Sequence, residues 1–235
     1  MIRLSRYFEI AFDAPAISDD ALRAFTGDHL AKLIAQNDTG TYDLLVAATA
    51  TALSGFHGKV ADESTAAAIR KSRTSATNVL MDEIKGKWSR REGKIRDTFE
   101  DGTPTYLAFY PQGVTEYRNA SMEEMATLLT RYASLAAEHT AELSQPFADE
   151  WASYKTRWSK VRGDQITQKA TTTGAADESH TARTTLEHQL QTNLLTIAIQ
   201  NLGHPEREPF YFQQSLLGLP ATPDPTPAPE KPPTP

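Results

Sequence analysis

Residues 42–60 read YDLLVAATATALSGFHGKV, and the fold class turns on whether they open a long helix. Tyr42, Leu45, Ala48, Ala52, Leu53, Phe56 and Val60 recur mostly at intervals of three and four. That spacing gathers apolar side chains on one face of an α-helix. Gly55 and Gly58 each cost such a helix about 1 kcal/mol relative to Ala, or else admit a neighbouring helix closely. Downstream the stripe continues through Ile69, Ala76, Leu80, Ile84, Trp88, Ile95 and Phe99. Asp62, Glu63, Ser64 and Thr65 offer a fresh N-cap, so 41–100 is either one very long helix or two meeting near Ser64. Continuity with a kink is the expectation. Asp101–Gly102–Thr103–Pro104 then ends the helix, because Gly supplies a left-handed cap and Pro cannot continue it.

Working outward to the N-terminal side, Ser18 with Asp19 and Asp20 makes a capped helix start. Leu22, Phe25, Leu30, Leu33 and Ile34 form its stripe, and Asn37–Asp38–Thr39–Gly40 stops it. So short a connection implies an antiparallel pair. On the C-terminal side, residues 105–118 are rich in Tyr and Phe and read as a short aromatic loop or a hairpin turning at Pro111–Gln112–Gly113. An isolated two-stranded ribbon is marginal, which favours the loop. Ser121 and Glu124 form a capping box. After it come Met125, Leu128, Leu129, Tyr132, Leu135, His139 and Leu143, then Phe147, Trp151, Tyr154, Trp158 and Val161, with a break expected at Pro146. Ala170 to Ser179, rich in Thr, Ala and Gly without apolar periodicity, reads as a loop. A last helix carries Leu186, Leu190, Leu194 and Ile197 up to Gly203 and Pro205, and Phe210, Tyr211, Phe212, Leu216 and Leu217 form an apolar cluster that should dock on the bundle.

These elements predict an all-α protein: an elongated up-and-down bundle of four to six long, coiled-coil-like amphipathic helices. A single domain is expected over 1–219, with a disordered Pro-rich tail over 220–235, where eight of 16 residues are Pro. At 39% hydrophobic and 23% charged, the composition is that of a globular chain. Its 235 residues suffice to bury about 70% of the unfolded surface without staples. With no Cys there is no disulfide framework, thiolate nucleophile or Cys-based metal site. Arg3 and Arg6 precede a short apolar run, but Glu9, Asp13 and Pro15 interrupt it, so a secretory signal is not expected. No apolar stretch reaches transmembrane length, and a cytoplasmic location is the default.

Chemistry-bearing patterns are sparse. There is no Glu-x-x-His pair of the di-iron kind; Asp177 and His180 have the spacing without a second copy. Gly-x-Ser-x-Gly, Walker and dinucleotide-binding patterns do not occur. A non-enzymatic chain without metal, cofactor or small-molecule ligand is therefore expected, although a dispersed site involving His139 or His57 would escape such a search. The most distinctive feature is the run 85–96, where Lys85, Lys87, Arg90, Arg91, Lys94 and Arg96 surround Trp88. Such a run could hold phosphates and stack a base, or meet an anionic surface. A second basic group, Lys155, Arg157, Lys160 and Arg162, flanks Trp158. The alternative is that both are solvated faces whose Trp residues point inward, the commoner meaning of charge runs on helices. The whole chain carries −6, and only 65–101 is basic, with 9 cationic and 6 anionic residues. That balance weighs against nucleic acid as a general partner. The expected function is a helical scaffold or protein-interaction protein, self-association included; binding through 85–96 and membrane activity are the alternatives.

Overall fold

The computed structural model describes residues 9–219, so the Pro-rich tail lies outside the described residues. Among them the chain is helical without strands. Its elements are α1 (Asp19–Ala35), α2 (Asp43–Phe99), α3 (Pro104–Phe109), α4 (Thr115–Asn119), α5 (Met125–Glu138), α6 (Thr140–Leu143) and α7 (Gln145–Gln200). Two 3-10 turns follow, Pro205–Phe210 and Gln214–Leu217. The all-α expectation holds, and 41–100 is one helix of 57 residues rather than two.

Packing groups the chain into two compact units. Unit 1 comprises residues up to Asp62 and from Ala176 onward; unit 2 is Glu63–Ala175. Each of the two long helices contributes to both.

In unit 1 the Ser18 hydroxyl accepts from the backbone N–H of Ala21 and starts α1. The buried face of α1 is Leu22, Phe25, Thr26, His29 and Leu33. Ile34, assigned to the stripe by periodicity, is exposed, and two polar residues share the buried side instead. Asn37 builds the turn into α2: its Oδ1 accepts from the Tyr42 N–H at 2.7 Å and its Nδ2 donates to Asp43 at 2.7 Å. Gly40 there has φ +74, a conformation that favours glycine. The core joins these residues to Tyr42, Phe56, Leu186, Leu190, Ile197, Tyr211, Phe212 and Leu217. The C-terminal cluster therefore docks as expected, apart from Phe210, which stays exposed.

Unit 2 is built on rings. Trp88, Trp151, Trp158, Tyr110, Tyr117, Tyr132 and Phe109 are all essentially inaccessible. Trp88 and Trp151 stack with centroids 5.7 Å apart, and Tyr132 packs 4.3 Å from Trp151. Aromatic side chains carry large apolar area into a core, of order 150–250 Å² each. The helix stop at 101–104 forms as expected, with Gly102 at φ +83 and the Thr103 hydroxyl accepting from the Tyr106 N–H. That cap, with Pro104 at the first helical turn, starts α3 and overturns the hairpin alternative for 105–118. The segment is two short helices. Its Tyr and Phe are there for burial rather than strand pairing, and the Tyr117 hydroxyl donates to the Phe109 carbonyl to tie α4 to α3. The Ser121–Glu124 box closes reciprocally, at 2.8 and 3.3 Å. The break near Pro146 falls at Ser144, φ +86, and α7 begins at Gln145 with Pro146 in its first turn, where no hydrogen bond is lost.

The loop expected over 170–179 is a correction: these residues are helical, inside α7. Within unit 2, Thr171, Thr172 and Thr173 each return a hydroxyl hydrogen bond to the carbonyl four residues back. Gln168 and Thr172 also donate to the Ala66 carbonyl of α2. Polar contacts there take the place of an apolar stripe.

Candidate functional site

The basic run lies on the last turns of α2, in unit 2. Trp88 is 0% exposed, with its ring against Tyr117 and Trp151, so it offers no face to a base. Lys87 Nζ donates to Glu150 Oε1 at 2.5 Å, and Arg91 donates to Glu150 Oε2 from Nε and Nη2 at 3.1 and 2.8 Å. Lys94 donates to the Leu143 carbonyl at 2.6 Å, at the C-terminal end of α6, with Nζ 4.9 Å from the Phe147 ring centroid. Arg96 pairs with Glu92 one turn back, and Arg90 Nε donates to the Gly86 carbonyl. Lys85 and Arg90 have no carboxylate within ion-pair distance among the described residues.

The second basic stretch meets the first along the α2–α7 seam of unit 2. Arg157 grips both oxygens of Glu83, at 3.2 and 3.0 Å, and Tyr154 donates to Glu83 at 2.8 Å. Arg162 pairs with Glu123. Cations and carboxylates thus alternate: Glu83 with Arg157, then Lys87 and Arg91 with Glu150. Hydrogen bonds from Arg157 and Tyr154, with the nearby Lys87 charge, hold the Glu83 carboxyl below its usual range. Burial works against ionisation of Glu150, but the bonds from Lys87 and Arg91 prevail and its pKa is also lowered. The seam can brace two helices electrostatically; much of its positive charge is met within the protein.

Unit 1 holds a wide groove. It runs between α2 and α7, about 1000 Å³ in volume, with Leu44, Ala48, Ala52, Gly55 and Phe56 on one wall and Ala182, Thr185 and Gln189 on the other. Lys59 and Glu178 close one end with an ion pair of 2.6 Å. Leu44 is 86% exposed. From Leu44 to Gly58 α2 carries no Asp, Glu, Lys or Arg at all, even though Ala47, Ala48, Thr51 and Gly55 face outward. Periodicity placed Ala48, Ile69 and Ala76 on the buried face of α2, but all three are exposed and Thr49 and Thr77 are buried beside them; the uncharged run was the available signal for the outward face.

Beside the groove lies a buried polar network that periodicity also missed. His29 Nδ1 donates to the Tyr211 carbonyl at 2.8 Å, which fixes the tautomer, and Nε2 accepts from Asn193 Nδ2 at 2.9 Å. The same Asn193 nitrogen donates to Thr49 at 2.6 Å, and Gln189 donates to Asn193 Oδ1 at 2.8 Å. The imidazole stacks on Phe212 at 4.5 Å. Burial lowers its pKa, opposed by the Tyr211 carbonyl and the Asp28 charge. His29 has no adjacent nucleophile in this network, and the arrangement holds the C-terminal segment on α1.

A smaller cavity of about 250 Å³ opens between the end of α7 and the first 3-10 turn, lined by Leu194, Ile197, Leu202, Arg207 and Tyr211. Among the described residues no three His, Asp or Glu side chains gather in a metal-holding group. His139 lies beside Glu142 and the Phe99 ring, and His180 is exposed. No helix among the described residues is long and apolar enough to cross a membrane. Set against protein-family models, curated proteins and solved structures, the chain matches none.

Proposed function

We propose that the chain is a non-enzymatic helical interaction protein, working in the cytoplasm, whose binding surface is the groove of unit 1. One observation carries this reading: an exposed helix face four turns long has no charged residue and borders an apolar groove, with Leu44 86% exposed at its rim. Covering a Leu side chain contributes about 1.5–3 kcal/mol, so a binding partner gains from this face what water cannot give. The rest of α2 shows the contrast, since its outward face beyond Lys59 is studded with Arg70, Lys71, Arg73 and Asp82. The test is affinity capture from an extract of the protein's own cells, wild type against Leu44→Glu/Ala48→Glu. Both positions face outward, so the fold is expected to persist. Loss of specific partners from the variant supports the reading, and identical recovery by the two proteins sinks it.

A second reading, binding of nucleic acid or an anionic surface along 85–96, is favoured by Lys85 and Arg90, which among the described residues have no paired carboxylate and, unlike Lys94, no bond to another helix. Lys85→Gln/Arg90→Gln removes them and leaves the Glu150 bridges in place. Anisotropy titrations with labelled single- and double-stranded nucleic acid should then show salt-sensitive binding that the double variant loses. Absence of binding at low salt removes this reading.

A further inference from the structure

We propose that the groove of unit 1 is closed by a second copy of the chain, with the two α2 helices antiparallel about a two-fold axis passing between Thr49 and Ala50. The proposal rests on the reading of the groove as an interaction surface and names its occupant.

The first argument is self-complementarity. A two-fold interface uses one patch twice, so the patch must match its own reverse. The α2 residues between Leu44 and Gly55 that line the groove do so in pairs about that axis: Leu44 with Gly55, Ala47 with Ala52, and Ala48 with Thr51. In the paired arrangement each Leu44 meets the partner's Gly55. A Cβ built on Gly55 would find nothing within 4 Å, so the space over that position is open in this structure. Leu44 is the one large projecting side chain of the set and Gly55 its one residue without a side chain. Small residues at the centre let the helix axes approach to about 8 Å, the lower end of ordinary helix packing.

The second argument is charge. The uncharged stretch is bracketed by Asp43 at its N-terminal end and Lys59 at its C-terminal end. Antiparallel pairing brings each Lys59, already paired with Glu178 of its own chain, within about one helical turn of the partner's Asp43, twice over. A parallel copy would set Asp43 against Asp43 and Lys59 against Lys59. A foreign helix would need the matching charges by coincidence, whereas a second copy carries them already.

The chain has no Cys, so a single introduced thiol reports without background. Thr51→Cys, beside the proposed axis, should be linked into a covalent dimer by a short bismaleimide. Val79→Cys, exposed on α2 in unit 2, should not. Light scattering on the wild-type chain at tens of micromolar should give twice 25.9 kDa, and Leu44→Glu/Ala48→Glu should return 25.9 kDa. Far-ultraviolet circular dichroism and hydrogen exchange in α1 should be unchanged in that variant and so show that unit 1 keeps its fold, on which tryptophan emission, coming only from unit 2, does not report. A wild-type monomer at these concentrations overturns the proposal, as does a dimer linked through Val79→Cys and not through Thr51→Cys. If the wild type is monomeric and the Leu44→Glu/Ala48→Glu variant still loses captured partners, the occupant is a different protein and only the second copy is refuted. If neither effect is seen, the groove is not an interaction surface at all.

Discussion

The two units close their cores by opposite means. Unit 2 fills its centre with indole, phenol and phenyl rings, and the indole N–H groups of Trp88, Trp151 and Trp158 find no acceptor among the described residues. Unit 1 has no Trp and places a polar network at its centre, in which His29, Asn193 and Thr49 are all hydrogen-bonded. Leaving an indole N–H unpartnered costs about 1–3 kcal/mol, a debt that a large buried ring can outweigh through its area. A hydrogen-bonded network adds less buried area but accepts one arrangement only. Bulk holds unit 2 and bond geometry holds unit 1, so the two should fail under different stresses.

The largest break is expected on the ring side. Trp151→Ala removes a fully buried ring from the stack of Trp88, Tyr132 and Phe147, and should cost about 3–5 kcal/mol by chemical denaturation. A cost below 1 kcal/mol would mean that the core is not packed around it. In unit 1, Asn193→Ala strands His29 Nε2, Thr49 and Gln189 together, and should cost about 1–3 kcal/mol. Hydrogen exchange in α1 should quicken, with the tryptophan emission of unit 2 unmoved; equal loss in both would erase the contrast.

Acid sharpens the comparison through a smaller, graded effect. His29 has a lowered pKa when folded, so between that value and its ordinary 6.5 the unfolded chain binds the extra proton. Unit 1 therefore loses stability as pH falls below about 6.5. For Glu83 and Glu150 the folded pKa is lowered below the ordinary 4.5, so their contribution is present above that value and fades only as pH falls through the carboxylate range. Going from pH 7 to 5.5 should lower the protection of α1 amides, measured against the intrinsic exchange rate at each pH, and leave the tryptophan emission constant. His29→Gln should flatten the response, and a wild-type profile flat over that interval would count against the buried neutral ring.

Local signals were legible and distant ones were not. Ser18, the Ser121–Glu124 box, Gly102 with Pro104, and the interruption before Pro146 act on their own neighbours, and each stands where its residues put it. The helix through 170–179 was hidden because its support comes partly from the Ala66 carbonyl, about a hundred residues earlier. His29 was passed over because periodicity counts apolar residues, and its partners Tyr211 and Asn193 lie on two other segments. For the cationic run, composition exposed the charges, but the acceptors Glu150 and Leu143 follow some 50–60 residues later. One helix read alone cannot show what a second helix neutralises.

The shared acceptor at Ala66 also sets the phase of unit 2. Helices with Ala- and Thr-rich surfaces have few features to stop them sliding past each other by a turn. Here a carbonyl that receives both Gln168 and Thr172 fixes which turn of α7 faces which turn of α2. One residue inserted between Ala66 and Leu80 would rotate everything after it by about 100°. Trp88 and Ile95 would then swing out toward water, while Lys87 and Lys94 took their places against the rings. The length of that span is thus under as strict a constraint as any side chain in the core, and a chain of this design can change its surface residues far more freely than its count of them.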